Sequence, residues 1–393
     1  MARDTTHGLP LFSTSTEQSF FQAKRQWSKK IKDRVLASYL TPYLTMVATL
    51  RKRRIILIDA FAGPGLFQDG SKGSPLIICE AADQHVPDQY EAIFVNKDAD
   101  HHRRLSEALQ PRIAAGRATC IRGDAHDLLK VLGESVQEQT IFLYLDPFGL
   151  SGCDFPTLKL FLTRPKQYST EILINISPRA IHRLAAMDAV REGRITPQVE
   201  ALNATLTAVL GGGYWREFLA DESMTPAERA AEVVKEYQRR LGQYLPYVGS
   251  CPVREGESKA IKYYMTFCSR HPFALLLMND QMCKAYNEFM HEGWSRDTLF
   301  ERMSWREGRD LKPLMEMIVE RLGRGSFARK ELNVRIVRDH FMKWTTSEYI
   351  EAVKRLVMQR RIEFVDVTGT GRLNDQSLLR LPKPPPAAIS RPA

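Results

Sequence analysis

The sequence predicts an α/β protein built on a doubly wound, mostly parallel sheet, and three observations carry that expectation. Ile55-Ile56-Leu57-Ile58 and Thr140-Ile141-Phe142-Leu143-Tyr144-Leu145 are continuous apolar runs, as strands buried on both faces require. Each run ends in an acidic residue, Asp59 or Asp146, followed by a loop containing glycine and proline. Helical spacing recurs between the apolar runs, near 76–84, 100–110, 126–133 and 155–163, which is the alternation of βαβ units.

Along the chain, residues 1–20 are polar and are expected to form a flexible N-terminus. An N-terminal helical extension follows over 21–50, with apolar residues at helical spacing: Val35, Leu36, Tyr39, Leu40 and Tyr43. The α/β domain is expected over 21–300. Weaker strands fall at Ala92–Val95 and Ala118–Ile121, and a fifth at Ile172–Ile176. A helical insertion occupies about 180–240, with Gly211-Gly212-Gly213 as a hinge or turn inside it. Lys262–Phe267 and Phe273–Met278 flank Ser269-Arg270-His271-Pro272 and are expected to pair as an antiparallel hairpin closing the sheet.

The character changes near 305. Helices are expected at Leu311–Leu322, at 328–341 and at Glu348–Gln359, the last capped by Thr345-Thr346-Ser347. Ile362–Val367 then alternates as a strand, Thr368-Gly369-Thr370-Gly371 turns, and Ser377–Leu381 returns. Three helices followed by a β-ribbon predict a winged helix-turn-helix domain over 305–382. Its third helix would read nucleic acid through Lys354, Arg355, Arg360 and Arg361, or the domain would dock a protein. Residues 383–393 form a Pro-rich tail expected to be disordered.

Composition bounds the function. No run approaches 18 apolar residues, so no membrane span is expected. The first residues lack an apolar secretion segment. Cysteines 79, 120, 153, 251, 268 and 283 have no C-x-x-C spacing, which reads as reduced, buried thiols in a cytoplasmic protein and not as a zinc site or disulfide frame. No metal site is expected. The net charge of +10, from 56 basic and 46 acidic residues, points towards a polyanion. Lys24-Arg25, Lys29-Lys30, Lys32, Arg34 and Arg51-Lys52-Arg53-Arg54 crowd the N-terminal segment, either as a solvated helix face or as phosphate contacts.

The loops after the strands carry the chemistry. After Asp59 comes Ala60-Phe61-Ala62-Gly63-Pro64-Gly65, whose glycines let backbone pass close to a ligand. In open α/β sheets that ligand sits outside the carboxyl ends of the strands. After the fourth strand comes Asp146-Pro147-Phe148-Gly149. Pro147 stiffens the loop, and Phe148 offers an apolar face to a flat ring. Between these two lie Asn96-Lys97-Asp98 and Gly123-Asp124, each at the end of a weaker strand.

That series resembles the class I S-adenosylmethionine-dependent methyltransferases, with their Rossmann-like fold. The resemblance implies S-adenosylmethionine as cofactor, held by the Asp59 loop with Phe61, Gly63 and Gly65. It places Asp98 at the ribose and Asp124 beside the adenine. It makes Asp146, Pro147 and Phe148 the catalytic motif that holds a target amine. The Asp-Pro-Phe-Gly form, with the aromatic one place early, looks like the motif of tRNA guanine-N2 dimethyltransferases. A closer resemblance covers about the first 300 residues. Lys32-Asp33-Arg34-Val35-Leu36-Ala37-Ser38-Tyr39-Leu40, the Asp59 motif, Gly73-Ser74-Pro75-Leu76, Asp146-Pro147-Phe148-Gly149 and Tyr263-Tyr264-Met265-Thr266-Phe267 with Ser269-Arg270-His271-Pro272 resemble the three-Cys-motif partner protein family (TcmP). It implies a three-cysteine-motif protein as partner. The expected function is methylation of an exocyclic amine on a nucleobase of DNA or RNA, with Lys32, Arg179, Arg270, Lys354 and Arg355 as nucleic-acid contacts. The alternative is a non-catalytic nucleic-acid-binding module of that partner.

Overall fold

The computed structural model describes residues 27–49, 54–254, 260–292, 310–369 and 371–382. The expected flexible N-terminus and Pro-rich tail lie outside these residues.

Five parallel strands form the centre of the sheet: β1 (Ile55–Asp59), β2 (Tyr90–Asn96), β3 (Ala118–Arg122), β4 (Thr140–Leu145) and β5 (Thr170–Ile176). Two more complete it, β6 (Tyr247–Arg254) and β7 (Ile261–Ser269). The order is β3-β2-β1-β4-β5-β7-β6, and β7 runs antiparallel to both neighbours. β1 lies between β2 and β4, so Asp59 is paired in register with Phe94 on one side and Tyr144 on the other. The acidic ends of β1 and β4 are therefore neighbours in space.

Successive residues of each strand point to opposite faces. Ile55 and Leu57 join one apolar core, while Ile56 and Ile58 join the other. The first core is covered by α1 (Trp27–Ala48), α2 (Ser74–His85), α3 (Ala99–Ala114) and the long α11 (Pro272–Glu292). Val35, Leu36, Tyr39, Leu40 and Tyr43 of α1 are all buried, as their spacing predicts. The second core lies under α4 (Ala125–Ser135), α5 (Phe155–Leu162) and the helical insertion. That insertion comprises α6 (Pro178–Ala185), α7 (Met187–Arg191), α8 (Pro197–Leu210), α9 (Trp215–Ala220) and α10 (Pro226–Gly242). Gly211 ends α8 at φ +72°, a left-handed turn that favours glycine.

One expected pairing is corrected. Phe273–Met278 is the start of α11, not a strand, and the hairpin partner of β7 is β6. Pro272 opens the helix where its missing N–H is no loss. A short apolar run buried on several sides has no distinguishing period. β6 does alternate, with Gly249, Cys251 and Val253 buried, but Gly249 and Pro252 disguise it. Gly249 is required there, because a Cβ would lie 2.4 Å from the Phe341 ring.

The C-terminal unit contains α12 (Lys312–Leu322), β8 (Phe327–Ala328), α13 (Arg329–Asp339), α14 (Thr346–Met358), β9 (Glu363–Val365) and β10 (Leu378–Arg380). Its strands pair antiparallel in the order β8-β10-β9. Thr345 caps α14 in a capping box with Glu348. The unit packs on α11: Val334, Val337 and Phe341 meet Leu275 and Leu276. Asn279 accepts from Met342 N at 2.8 Å and donates to the Trp344 carbonyl at 2.8 Å. Asp280 accepts from the Thr346 amide, at the first turn of α14, at 2.8 Å.

Candidate active site

The site is built at the carboxyl ends of β1 and β4. Asp59 is the last residue of β1 and is fully buried. One carboxylate oxygen accepts from Phe61 N at 3.1 Å, the other from Ser74 Oγ at 2.6 Å. Burial nevertheless pushes its pKa up to about 7, because the charged form is denied water. Nearby Asp146 adds to the rise and Lys32 opposes it.

Asp146 directly follows β4. Its Oδ1 accepts from Asn175 Nδ2, on β5, at 2.9 Å, and its Oδ2 is ion-paired with Lys32 Nζ of α1. The Lys32 ammonium also lies 5.2 Å from the centre of the Tyr263 ring, at the start of β7. α1 and β5 thus meet on the carboxylate that follows β4, with β7 against the lysine. α1 reaches this point because it crosses the sheet face: further along it, Tyr39 donates to Glu171 at the opposite end of β5.

The two loops differ in exposure. After β1, Gly65 adopts φ +83°, and a Cβ there would come within 3.2 Å of Leu105 Cδ1 on α3. Only glycine allows both the turn and that helix contact. Gly63 is not among the left-handed glycines. Ala62 N donates to Val95 O at 3.0 Å, and Gly73 N to Gly65 O at 2.6 Å, which folds the loop back on the sheet. After β4, Gly149 and Gly152 turn at φ +96° and +104°. Gly152 gives room to Phe61, whose ring would lie 2.7 Å from a Cβ at that position. Phe148 stands 57% exposed at the rim.

The other acids have local tasks as well. Asp98 caps α3 by accepting from His101 N at 2.8 Å. Asn96, the last residue of β2, donates to the Ala62 carbonyl and ties β2 to the β1 loop. Asp124 caps α4 through His126 N and pairs with Lys97 at 3.1 Å; Lys97 holds its carboxyl below the usual range. Asp98 follows β2 and Asp124 follows β3, the next two strands out from β1 in the sheet.

The expected cationic contacts scatter. Lys32 is in the site, on Asp146 and not on an open face. Arg179 is exposed on the first turn of α6. Arg270 lies at the amino end of the parallel strands, away from the site. Its guanidinium donates to the Leu162 and Arg164 carbonyls at 2.8 and 2.7 Å and to Thr170 Oγ1 at 3.2 Å. Lys354 and Arg355 are exposed on α14, and Arg355 pairs with Glu351 at 2.9 Å. Sequence reasoning gave no site role to Asn175, Tyr263 or Ser74, although Ser74 and Tyr263 fall in the blocks that carry the closer resemblance. Asn175 carried a signal, as the one amide inside the apolar run Ile172–Ile176.

A sheet of this order, with its seventh strand reversed, is a doubly wound, Rossmann-like sheet. Among solved structures the chain is similar to an O-methyltransferase from Bacillus cereus in complex with SAH, at 13% identity over 65% of this chain and 97% of that one, TM-score 0.31. It is similar to cofactor-bound Rv0187 from MTB at 13% identity, over 60% and 79% of the two chains, TM-score 0.31. It is also similar to a methyltransferase from Geobacter sulfurreducens at 9% identity, over 65% and 83%, TM-score 0.28. No family model and no curated protein matches the chain. No helix among the described residues is long and apolar enough to cross a membrane.

Proposed function

We propose that the protein binds S-adenosylmethionine and methylates an exocyclic amine of a nucleobase, in the manner of a three-Cys-motif partner protein. The observation that carries this reading is the pairing of two carboxylates with different environments on neighbouring strand ends, Asp59 buried under its loop and Asp146 held at the rim beside Phe148. The chain's residues fit the cofactor. A buried carboxylate at Asp59 suits a cationic ligand, the backbone turns sharply at Gly65, and Asp98 and Asp124 stand at the next two strand ends. When bound, S-adenosylmethionine would supply an electrophilic methyl group on a sulfonium, with a neutral thioether as the leaving group.

Asp146 then has two tasks. It accepts an N–H of the target amine, which localises a lone pair otherwise delocalised into the base, and it takes the proton released after transfer. Asn175 fixes Oδ1, so the acceptor must meet Oδ2, where Lys32 now sits. Lys32 therefore has to yield as the amine arrives. Pro147 keeps the loop rigid, and Phe148 presents a face on which an unstacked base rests.

The order of α12, β8, α13, α14, β9 and β10 supports a winged helix in the C-terminal unit. Asp280 holds the first turn of α14 against α11, which favours a docking role over groove reading. Six free cysteines, five of them buried, support a reducing, cytoplasmic setting.

A second reading has its own observation. Both oxygens of Asp146 are already engaged, by Lys32 and Asn175. That favours a partner module that binds cofactor or nucleic acid without turnover. Labelled-methyl incorporation into cellular RNA and DNA, with the three-cysteine-motif partner present, separates the two. Asp146→Ala should keep cofactor binding and lose transfer by about two to three orders of magnitude; Asp146→Asn should lose less. A wild-type protein that transfers nothing leaves the module reading.

A further inference from the structure

α6 has one sharply apolar face and one basic face. Pro178, Ala180, Ile181, Leu184 and Ala185 are buried, while Arg179 and Arg183 are exposed. Four residues apart, the two arginines lie one above the other on the same stripe of the helix. Neither takes part in an ion pair among the described residues. Most other exposed arginines are paired locally, as Arg103 is with Asp100 and Glu107, and Arg239 with Glu236.

The stripe is joined to the candidate active site. An Nη of Arg183 lies so close to Gly149 that a Cβ there would be 3.0 Å from it. Gly149, at φ +96°, therefore gives the loop its turn and the guanidinium its place. The next residue back is Phe148, 57% exposed. Two more residues back is Asp146. The sequence Asp146-Pro147-Phe148-Gly149 thus runs from the candidate acid, past an exposed ring, to an arginine.

We propose that Arg179, Arg183 and Phe148 form a rim that grips a single nucleic-acid strand and delivers one base to Asp146. Arginine forks match phosphodiester oxygens, and an exposed aromatic accepts any base face, so cations beside a ring are the chemistry of single-strand binding. A duplex offers its bases stacked and out of reach of Phe148. The rim rests on the methyltransferase reading for its purpose, but its binding is measured without it.

The test is fluorescence anisotropy with a labelled single-stranded DNA, its RNA counterpart and the DNA duplex, each over a range of salt. Cofactor titration calorimetry is run on the same preparations. Wild type should prefer single strands to duplex. Arg179→Ala with Arg183→Ala should weaken single-strand binding at least about tenfold and lower the salt slope by about 1.4, the share of two phosphate contacts. Arg179→Lys with Arg183→Lys should recover the slope. Phe148→Ala should weaken binding about five- to a hundredfold with the slope unchanged. All variants should keep the circular dichroism spectrum and urea midpoint of wild type, which shows them folded, and whatever cofactor affinity wild type has.

Unchanged oligonucleotide binding in both the double alanine variant and Phe148→Ala would overturn the rim. So would binding lost only in Lys354→Ala with Arg355→Ala, which would move the strand to the C-terminal unit. A wild type that binds single strands as described but no cofactor would leave the rim standing and sink the methyltransferase reading alone.

Discussion

The two ends of the sheet both bury charge, and they do so differently. At the amino end, Arg164 is buried, and its guanidinium donates to the Val136 carbonyl at 2.7 Å, to Thr170 Oγ1 at 2.7 Å, to Ser169 O at 3.3 Å and to Gln139 O. Arg270 beside it is held by carbonyls in the same way. Burial and the neighbouring Arg270 push the Arg164 pKa down to about 10, yet four hydrogen bonds, three of them to backbone carbonyls, hold the guanidinium at the start of β5. At the carboxyl end, Asp59 and Asp146 meet mostly side chains, Ser74, Asn175 and Lys32, with the Phe61 amide as a backbone donor to Asp59. Backbone acceptors are fixed by the fold, whereas a lysine on a separate helix can leave. The amino end is a lock on the loops; the carboxyl end is a place where partners can be exchanged.

Substitutions should separate the two ends by sign. Arg164→Ala strands several buried carbonyls and leaves a void, so it should destabilise by about 4–5 kcal/mol in urea unfolding. Cofactor affinity of the folded fraction should stay within about twofold. A large loss of affinity at constant stability would mean the amino end belongs to the site.

Asp59→Asn should do the reverse. The native carboxyl, at about 7, holds a proton that the unfolded one, at 3.8, has released. Wild-type stability therefore falls as pH rises from about 4 to 7, and the full penalty is present above that window. The amide removes it. The gain should be absent near pH 4 and reach up to roughly 4 kcal/mol at pH 8, an order-of-magnitude figure. Glu171, pushed up to about 8 by burial, contributes the same trend to both proteins and cancels in the difference. Cofactor affinity at pH 8 should drop at least about tenfold. A variant that is not stabilised at pH 8 would show that Asp59 is already ionised at no cost.

The central strands and the helices between them were legible because buried parallel strands are written as unbroken apolar runs and α3, α4 and α5 carry clear periodicity. The start of α14 at Thr345-Thr346-Ser347 was legible for the same local reason, though not the reciprocal bond from Glu348 that makes it a capping box. β6 was not, since Gly249 and Pro252 sit in it for reasons that lie elsewhere in the fold, the glycine because Phe341 of the C-terminal unit packs on it. Position in the sheet could be read for Asp59 and Asp146. Partnership could not: nothing near Lys32 in the sequence marks it as the residue that meets Asp146, 114 positions away. Arg270 was misleading for the complementary reason, because a conspicuous turn residue next to a strand gives no sign of which end of the sheet the strand has reached.

Lys32 is where the comparison of the two ends is sharpest. Its ammonium is largely sheltered, pairs with Asp146 and faces the Tyr263 ring, so by geometry alone it resembles the arginines of the amino end. Lys32→Met keeps most of the aliphatic volume and removes the charge. If the pair is exchangeable, the variant should lose only about 2 kcal/mol, the scale of one charge-assisted hydrogen bond, because Asn175 still holds Oδ1 and Asp146 retains some access to water. Removing a competitor for Oδ2 should also lower KM for the acceptor, since the amine no longer has to displace Nζ. A loss of 4–5 kcal/mol with the acceptor KM unmoved would place Lys32 with Arg164 and Arg270, as a fixed structural tie. Asp146 would then be closed to an incoming amine, and the non-catalytic reading would be the one left standing.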